Sequence, residues 1–170
     1  MRRAIRVGLI LTAITAASFG FQWAQAAEDT AALGKALLEA TVSLEQGLTA
    51  SEREGKPISG KYEIEDGALQ LSVYTARDRK FTEVIVDHKS AAINKAEPIT
   101  EGEDFESAKA QDDAMNAAKI SLSSATAQAV NVNAGYRAVS AIPAIKNGHP
   151  VAEIRLTNGT MVKAVEQKLD

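Results

Sequence analysis

The sequence predicts an α+β fold of two repeated units, each a helix followed by a three-stranded antiparallel meander. Three observations predict it. VSLEQGLTAS at 42–51 returns, near enough, as ISLSSATAQA at 120–129. After each of these stretches the apolar period changes from about 3.6 to 2 residues. Each alternating run is then cut by a dipeptide made for tight hairpins, Asp66-Gly67 in one unit and Asn147-Gly148 in the other.

The recurrence extends well beyond these two phrases. At a constant offset of 78, Ala36, Leu37, Ala40, Val42, Ser43 and Leu44 fall on Ala114, Met115, Ala118, Ile120, Ser121 and Leu122. At an offset of 81, Ile58, Gly60, Tyr62, Ile64, Asp66 and Gly67 fall on Val139, Ala141, Pro143, Ile145, Asn147 and Gly148. The three extra residues fit near Asn133-Ala134-Gly135, between helix and strand.

The elements follow in chain order. Arg2, Arg3 and Arg6, then an apolar run from Val7 to Phe21, then Ala24 and Ala26 at the two positions a signal peptidase reads, make residues 1–26 a secretory signal peptide. A run of about 15 apolar residues is short of the ~20 that cross a bilayer, so cleavage after Ala26 is expected, with no membrane span in the mature chain. Three arginines and no acid leave with the signal, taking the formal charge from −3 to −6. An acidic chain without a basic stripe offers no footprint for nucleic acid. Cysteine is absent, which excludes thiol chemistry and cysteine-held zinc and leaves burial to hold the fold. The expected address is the periplasm, or secretion.

The first unit is placed at 27–93. Leu33, Ala36, Leu37 and Ala40 recur at helical spacing ahead of the cap. Ser43 with Gln46 has capping-box form and starts a helix at Leu44. The helix should end near Glu54, with Gly55 in the left-handed conformation that closes it. Ile58, Gly60, Tyr62 and Ile64 alternate with polar residues, as do Leu69, Leu71 and Val73. A looser turn at Arg77-Asp78-Arg79 leads into a third strand, Phe81 to Val86. Residues 94–106, with Pro98, Gly102 and five acids, read as a solvated acidic linker into a helix N-terminus. The second unit is placed at 107–170. Phe105, Ala108 and Met115 are loosely helical, Ser121 caps a helix with an inward stripe of Leu122, Ala125 and Ala129, and Asn147-Gly148 and Asn158-Gly159 mark the hairpins. Ala152, Ile154 and Leu156 should face in and Glu153 and Arg155 out. Pro143 cannot donate to a ladder, which places its strand at an edge or a bulge.

At this point the residues carry a resemblance. VSLEQGLTASEREG, GKYEIEDGALQLSVYT and KFTEVIVDHKSAAI look like a PepSY domain, whose pattern ends in a valine-rich strand running into Asp-x-x-x-Gly. Val84-Ile85-Val86-Asp87 fits that strand and aspartate, and Ala91 stands where the glycine is expected. The second copy, ISLSSATAQAVNVNAGYRAV through HPVAEIRLTNGTMVKAVEQKLD, resembles the family more weakly and lacks the aspartate. The resemblance spans most of 36–170. It implies an exported, non-catalytic module that binds or inhibits a protein or peptide, such as a peptidase.

Independent chemistry is sparse. His88 and His149 sit singly in different copies, and zinc needs three or four convergent ligands. No H-E-x-x-H, G-x-S-x-G or P-loop occurs, and the D-x-[DN]-x-[DN]-G calcium spacing is missing from 94–106. No catalytic, cofactor or metal residues are therefore assigned, and no partner-binding residues can be named. Asp87 is read as a turn-forming carboxylate at a strand end. Two other readings stand beside the binding module. One is a structural or envelope-stress protein without a specific target. The other is a small-ligand carrier, which would need a pocket of about 300 Å³ or more.

Overall fold

The computed structural model describes residues 32–170. The signal-peptide assignment, with Ala24 and Ala26, lies outside the described residues. Residues 32–36 are helical and pass into a 3-10 turn at Leu37–Glu39. Three further helices follow: α1 (Leu44–Ala50), α2 (Gly102–Ala117) and α3 (Leu122–Asn131). The strands are β1 (Lys56–Glu65), β2 (Ala68–Arg77), β3 (Lys80–Val86), β4 (Ile93–Ile99), β5 (Arg137–Lys146), β6 (His149–Thr157) and β7 (Val162–Lys168). All seven form one antiparallel sheet in the order β4-β3-β2-β1-β5-β6-β7.

The α+β class holds, and the sequence patterns explain the elements. Ser43 Oγ accepts the Gln46 N–H at 3.3 Å while Gln46 Oε1 accepts the Ser43 N–H at 2.8 Å, a complete capping box. Ser121 Oγ accepts the Ser124 N–H at 3.1 Å, but Ser124 bonds back to the Ser121 hydroxyl, not to its backbone. Leu122, Ala125 and Ala129 are buried as their spacing requires, and Ala152, Ile154 and Leu156 are buried while Glu153 and Arg155 are exposed. Asp66 (φ 50°) and Gly67 (φ 78°), like Asn147 (φ 51°) and Gly148 (φ 82°), take the positive φ of type I′ hairpins.

Several expectations are corrected. The segment 94–106 is not a bare linker: its first part is β4, which pairs with β3 from Phe81↔Ile99 to Val86↔Ile93, and its last part opens α2. The alternation that would reveal a strand is missing because β4 is exposed along nearly its whole length and carries no apolar stripe. The turn at Asp78-Arg79 is tight, not loose, with both residues at positive φ (53° and 62°). Conversely, Asn158-Gly159 opens a longer loop, in which Asn158 Oδ1 accepts the Thr160 and Met161 N–H groups and only Gly159 has positive φ. Gly55 is not left-handed; it is needed because a Cβ there would stand 2.8 Å from the Ala76 carbonyl oxygen. Pro143 lies on β5, an interior strand, beyond the last pair that β5 makes with β1.

The junction between β1 and β5 is narrow, with only Gly60↔Ala141 and Lys61↔Ser140 paired. What strengthens it is packing. α1 lies against α3, and α2 lies against β1, β5 and β6. Leu44 and Leu48 close over Gly60, where a Cβ would meet Leu48 at 3.0 Å. One apolar core runs from Leu37 through Leu44, Leu48, Leu71 and Val84 to Leu122, Ile154 and Leu169.

Geometry recurs along the chain at the sequence offsets. β1 and β5 each carry a register shift, at Ile58 and at Val139, 81 residues apart. Thr41 and Val42 donate to the His88 carbonyl, and Lys119 and Ile120 donate to the Leu169 carbonyl. Lys56, opening β1, donates to the Met115 carbonyl at the end of α2, and Arg137, opening β5, donates to the Leu37 carbonyl at 2.8 Å. Each cation thus bonds a carbonyl at a helix end, and it reaches across the junction to do so.

Candidate partner-binding site

Three places gather polar side chains or expose backbone, and they are built differently. The first is the Asp87 turn. Its Oδ1 accepts the Ser90 N–H at 2.7 Å, the Ser90 hydroxyl at 2.8 Å and the Lys89 N–H at 3.1 Å. These bonds, led by the Ser90 hydroxyl, hold the carboxyl down at about 2, well below the ordinary carboxylate range. The Asp87 N–H donates to the Ala92 carbonyl and the Ala91 N–H to the Asp87 carbonyl, and Ala91 takes φ 61°. The neighbouring His88 carbonyl receives Thr41 and Val42, and the Thr41 hydroxyl donates to the Lys89 carbonyl at 2.7 Å. Asp87 therefore shapes the loop on which the start of α1 rests. Beside it, Thr41, Glu45, Gln46, Thr49, Lys89 and Ser90 border an open depression of about 560 Å³.

The second place is the Arg137 clasp. Its guanidinium donates to the carbonyls of Leu37, Ala40 and Val42 and stands 5.7 Å from the Tyr62 ring centroid. The Tyr62 hydroxyl donates to the Val42 carbonyl at 2.6 Å, and burial, opposed by Arg137, pushes it up to about 12. The arrangement holds backbone carbonyls of the 3-10 turn and of the α1 entry in place. A depression of about 330 Å³ beside Arg137, Tyr136 and Gly159 is again open. A cleft bordered by Ser59, Tyr74 and Gln111 holds about 150 Å³, half of what a small-ligand site needs.

The two histidines stay apart in role. His149 Nδ1 pairs with Asp170 Oδ2 at 2.8 Å, and His88 serves through its carbonyl. Among the described residues no group of three His, Asp or Glu side chains converges as metal ligands, and no helix is long and apolar enough to cross a membrane.

The third place is the pair of sheet edges. In β4 the outer edge carries Pro98, an ion pair between Lys95 and Glu97 at 2.8 Å, and a register shift opposite Ile85–Val86. These are devices that discourage further pairing. In β7, pairing with β6 runs without a shift from Val151↔Lys168 to Thr157↔Val162, and the strand has no proline. Met161 and Val162 are 58% and 45% exposed at its start. This edge was missed from the sequence because the composition of VKAVEQK does not tell an edge from an interior strand. Only the strand order reveals it.

No known family model, curated protein or solved structure matches this chain.

Proposed function

We infer that the chain is an exported, non-catalytic binding module of PepSY type, built from two repeated units, that engages a protein or peptide such as a peptidase through a sheet edge. The observation that carries this reading is the Asp87 turn. The residues on which the PepSY resemblance rests, the valine-rich β3, Asp87 and the position of Ala91, lie in one hydrogen-bonded loop that seats α1. Ala91 adopts the positive φ that a glycine at that position would adopt freely. The recurrence of the Ile58 and Val139 shifts, and of the carbonyl contacts at His88 and Leu169, supports reading the two halves as copies.

Crosslinking in periplasm followed by pull-down tests the function. The expected result is a specific exported partner whose proteolytic activity, if it is a peptidase, falls on adding the pure protein. Recovery of no specific partner, together with an envelope phenotype on deletion, would support the structural reading instead. Export has its own test. Intact mass should start the mature chain at Ala27, and since the single tryptophan is Trp23, the mature protein should show no tryptophan emission.

A further inference from the structure

The two halves end their meanders differently, and the difference points to the docking edge. At an offset of 81, β3 corresponds to β7: Phe81 to Val162, Glu83 to Ala164, Ile85 to Glu166. Beside β3 the chain lays β4, in the register Phe81↔Ile99, Glu83↔Glu97, Ile85↔Lys95. Beside β7, among the described residues, no strand pairs.

Backbone groups alternate in direction along an antiparallel strand. The Leu169 N–H donates to the Pro150 carbonyl, towards β6. The alternate residues Val162, Ala164, Glu166 and Lys168 therefore turn their N–H and C=O groups outward. In the first half the Asp87 N–H donates to the Ala92 carbonyl, towards β4. By the same alternation, Phe81, Glu83 and Ile85 are the residues that bond β4. The outward set on β7 is thus the counterpart of the set that already holds a strand on β3. Proline removes a donor from the outer side of β4, while every outward residue of β7 keeps its own.

We propose that β7 is the docking edge, and that its occupant is an extended segment of a partner protein that adds as an eighth, antiparallel strand with a cation four residues ahead of an aliphatic side chain. The proposal rests on the binding-module reading and specifies its site. Charge complementarity gives the pattern. Laying a β4-like strand on β7 in the β3–β4 register sets Lys95's position opposite Glu166 and Ile99's position opposite Val162. Glu166 pairs with Lys146 at 2.8 Å, yet its side chain is 51% exposed and its carboxylate has lone pairs for a second cation. Val162, 45% exposed, gains an apolar neighbour. Main-chain bonds supply the affinity in this mode and the alternate side chains the selectivity.

The test uses the ¹⁵N-labelled protein and a capped synthetic peptide, AINKAEPIT, the chain's own residues 92–100, as the probe. Amide resonances of Val162, Ala164, Glu166 and Lys168 should shift on titration and exchange more slowly, while those of β4 stay unmoved. A peptide with glutamate in place of its lysine should bind about fivefold more weakly, the size of a cross-strand charge pair. In the Glu166→Lys protein the preference between the two peptides should invert. Shifts confined to other strands, absence of binding at millimolar peptide, or an unchanged preference in Glu166→Lys would each overturn the proposal. So would outward β7 amides that already exchange slowly in the free protein, since the edge would then be occupied. These outcomes concern β7 alone. A failure here alongside a specific pulled-down partner would remove the site and leave the binding module standing.

Discussion

The first half of the molecule is built from larger parts than the second. Where α1 offers Leu44 and Leu48 to the core, α3 offers Leu122 and the small residues Ala125, Thr126 and Ala129, all buried. Where the first half has a complete capping box, the second has a hydroxyl cluster of Ser121, Ser123 and Ser124. Where β3 is covered by β4, β7 is an edge. The half with the smaller buried side chains leans on the other across the narrow β1–β5 junction. The reciprocal clasps of Lys56 on Met115 and Arg137 on Leu37 show how it leans.

The largest effect should come from separating the halves. A unit of roughly 65 residues buries only about 60% of the surface its unfolded chain exposes, which is marginal without disulfide or metal. Fragment 105–170 loses α1 from over α3 and Gly60 from beside Ala141. It should be largely unfolded by circular dichroism, while residues 27–170 should melt in one cooperative transition. A cooperatively melting 105–170 would mean that the halves are independent and would break the comparison.

A smaller effect separates the two helices. Leu48→Ala should lower stability by about 2–5 kcal/mol in urea unfolding, since Leu48 is fully buried over Gly60 of β1. The residue 78 positions on, Thr126, is equally buried, and its hydroxyl donates to the Leu122 carbonyl at 2.7 Å. That bond uses a carbonyl already engaged in the helix, so Thr126→Val should change stability by less than about 1 kcal/mol. Equal losses at the two positions would show that the helices bear the core alike.

How much of this was legible beforehand depends on which physical signal each residue left. The caps at Ser43 and Ser121, the Asp66-Gly67 and Asn147-Gly148 turns and the buried stripes were readable because local geometry restricts the residues that can serve there. β4 was not, because a strand exposed along nearly all its length carries no apolar alternation. The tight Asp78-Arg79 turn was not, because its two residues adopt positive φ without glycine or asparagine to announce it. Gly55 was noticed for the wrong reason, since the close approach of Ala76 is a tertiary fact. The Arg137 clasp had no sequence signal: a cation at a strand start finds carbonyls of a helix end about a hundred residues away only once the sheet has formed. The candidate edge was least legible of all, because edge and interior differ in topology and not in composition.

Next in size are the caps. Ser43→Ala and Ser121→Ala should each cost about 0.5–2 kcal/mol, since each removes the hydroxyl that accepts a helix-end N–H. The comparison needs a serine without a structural bond, and Ser90 is not one, since its hydroxyl donates to Asp87 at 2.8 Å and accepts the Ala92 N–H. Exposed Ser107 on α2 serves instead. Unfolding midpoints for Ser43→Ala and Ser121→Ala no lower than that of Ser107→Ala would remove the caps as stabilising features. Smaller again, and of opposite sign, Ala91→Gly should raise stability by about 1 kcal/mol. Alanine at φ 61° carries the left-handed penalty that glycine lacks, partly offset by glycine's greater freedom when unfolded.

The smallest effect, and the one that tests the Asp87 turn most directly, is its response to acid. The hydrogen bonds from Ser90 and Lys89 favour the ionised form and depress the folded carboxyl from 3.8 to about 2. A group depressed on folding adds stability that is present in full above its unfolded value and is lost as pH falls through its folded one. The gap in urea midpoint between the native protein and Asp87→Ala should therefore hold constant above about pH 5, begin to close below about pH 4, and close most of the way by pH 2. The second half has Lys168 at the corresponding position, and the carboxyl held down at its end of the sheet is instead Asp170, lowered by its hydrogen bond to His149. Carbon-detected titration of the Asp87 carboxyl gives the folded value independently. A midpoint near 4, or a gap that stays level down to pH 2, would mean that the loop does not hold the carboxylate as the geometry requires. The seat of α1 would then depend on the His88 and Lys89 carbonyls.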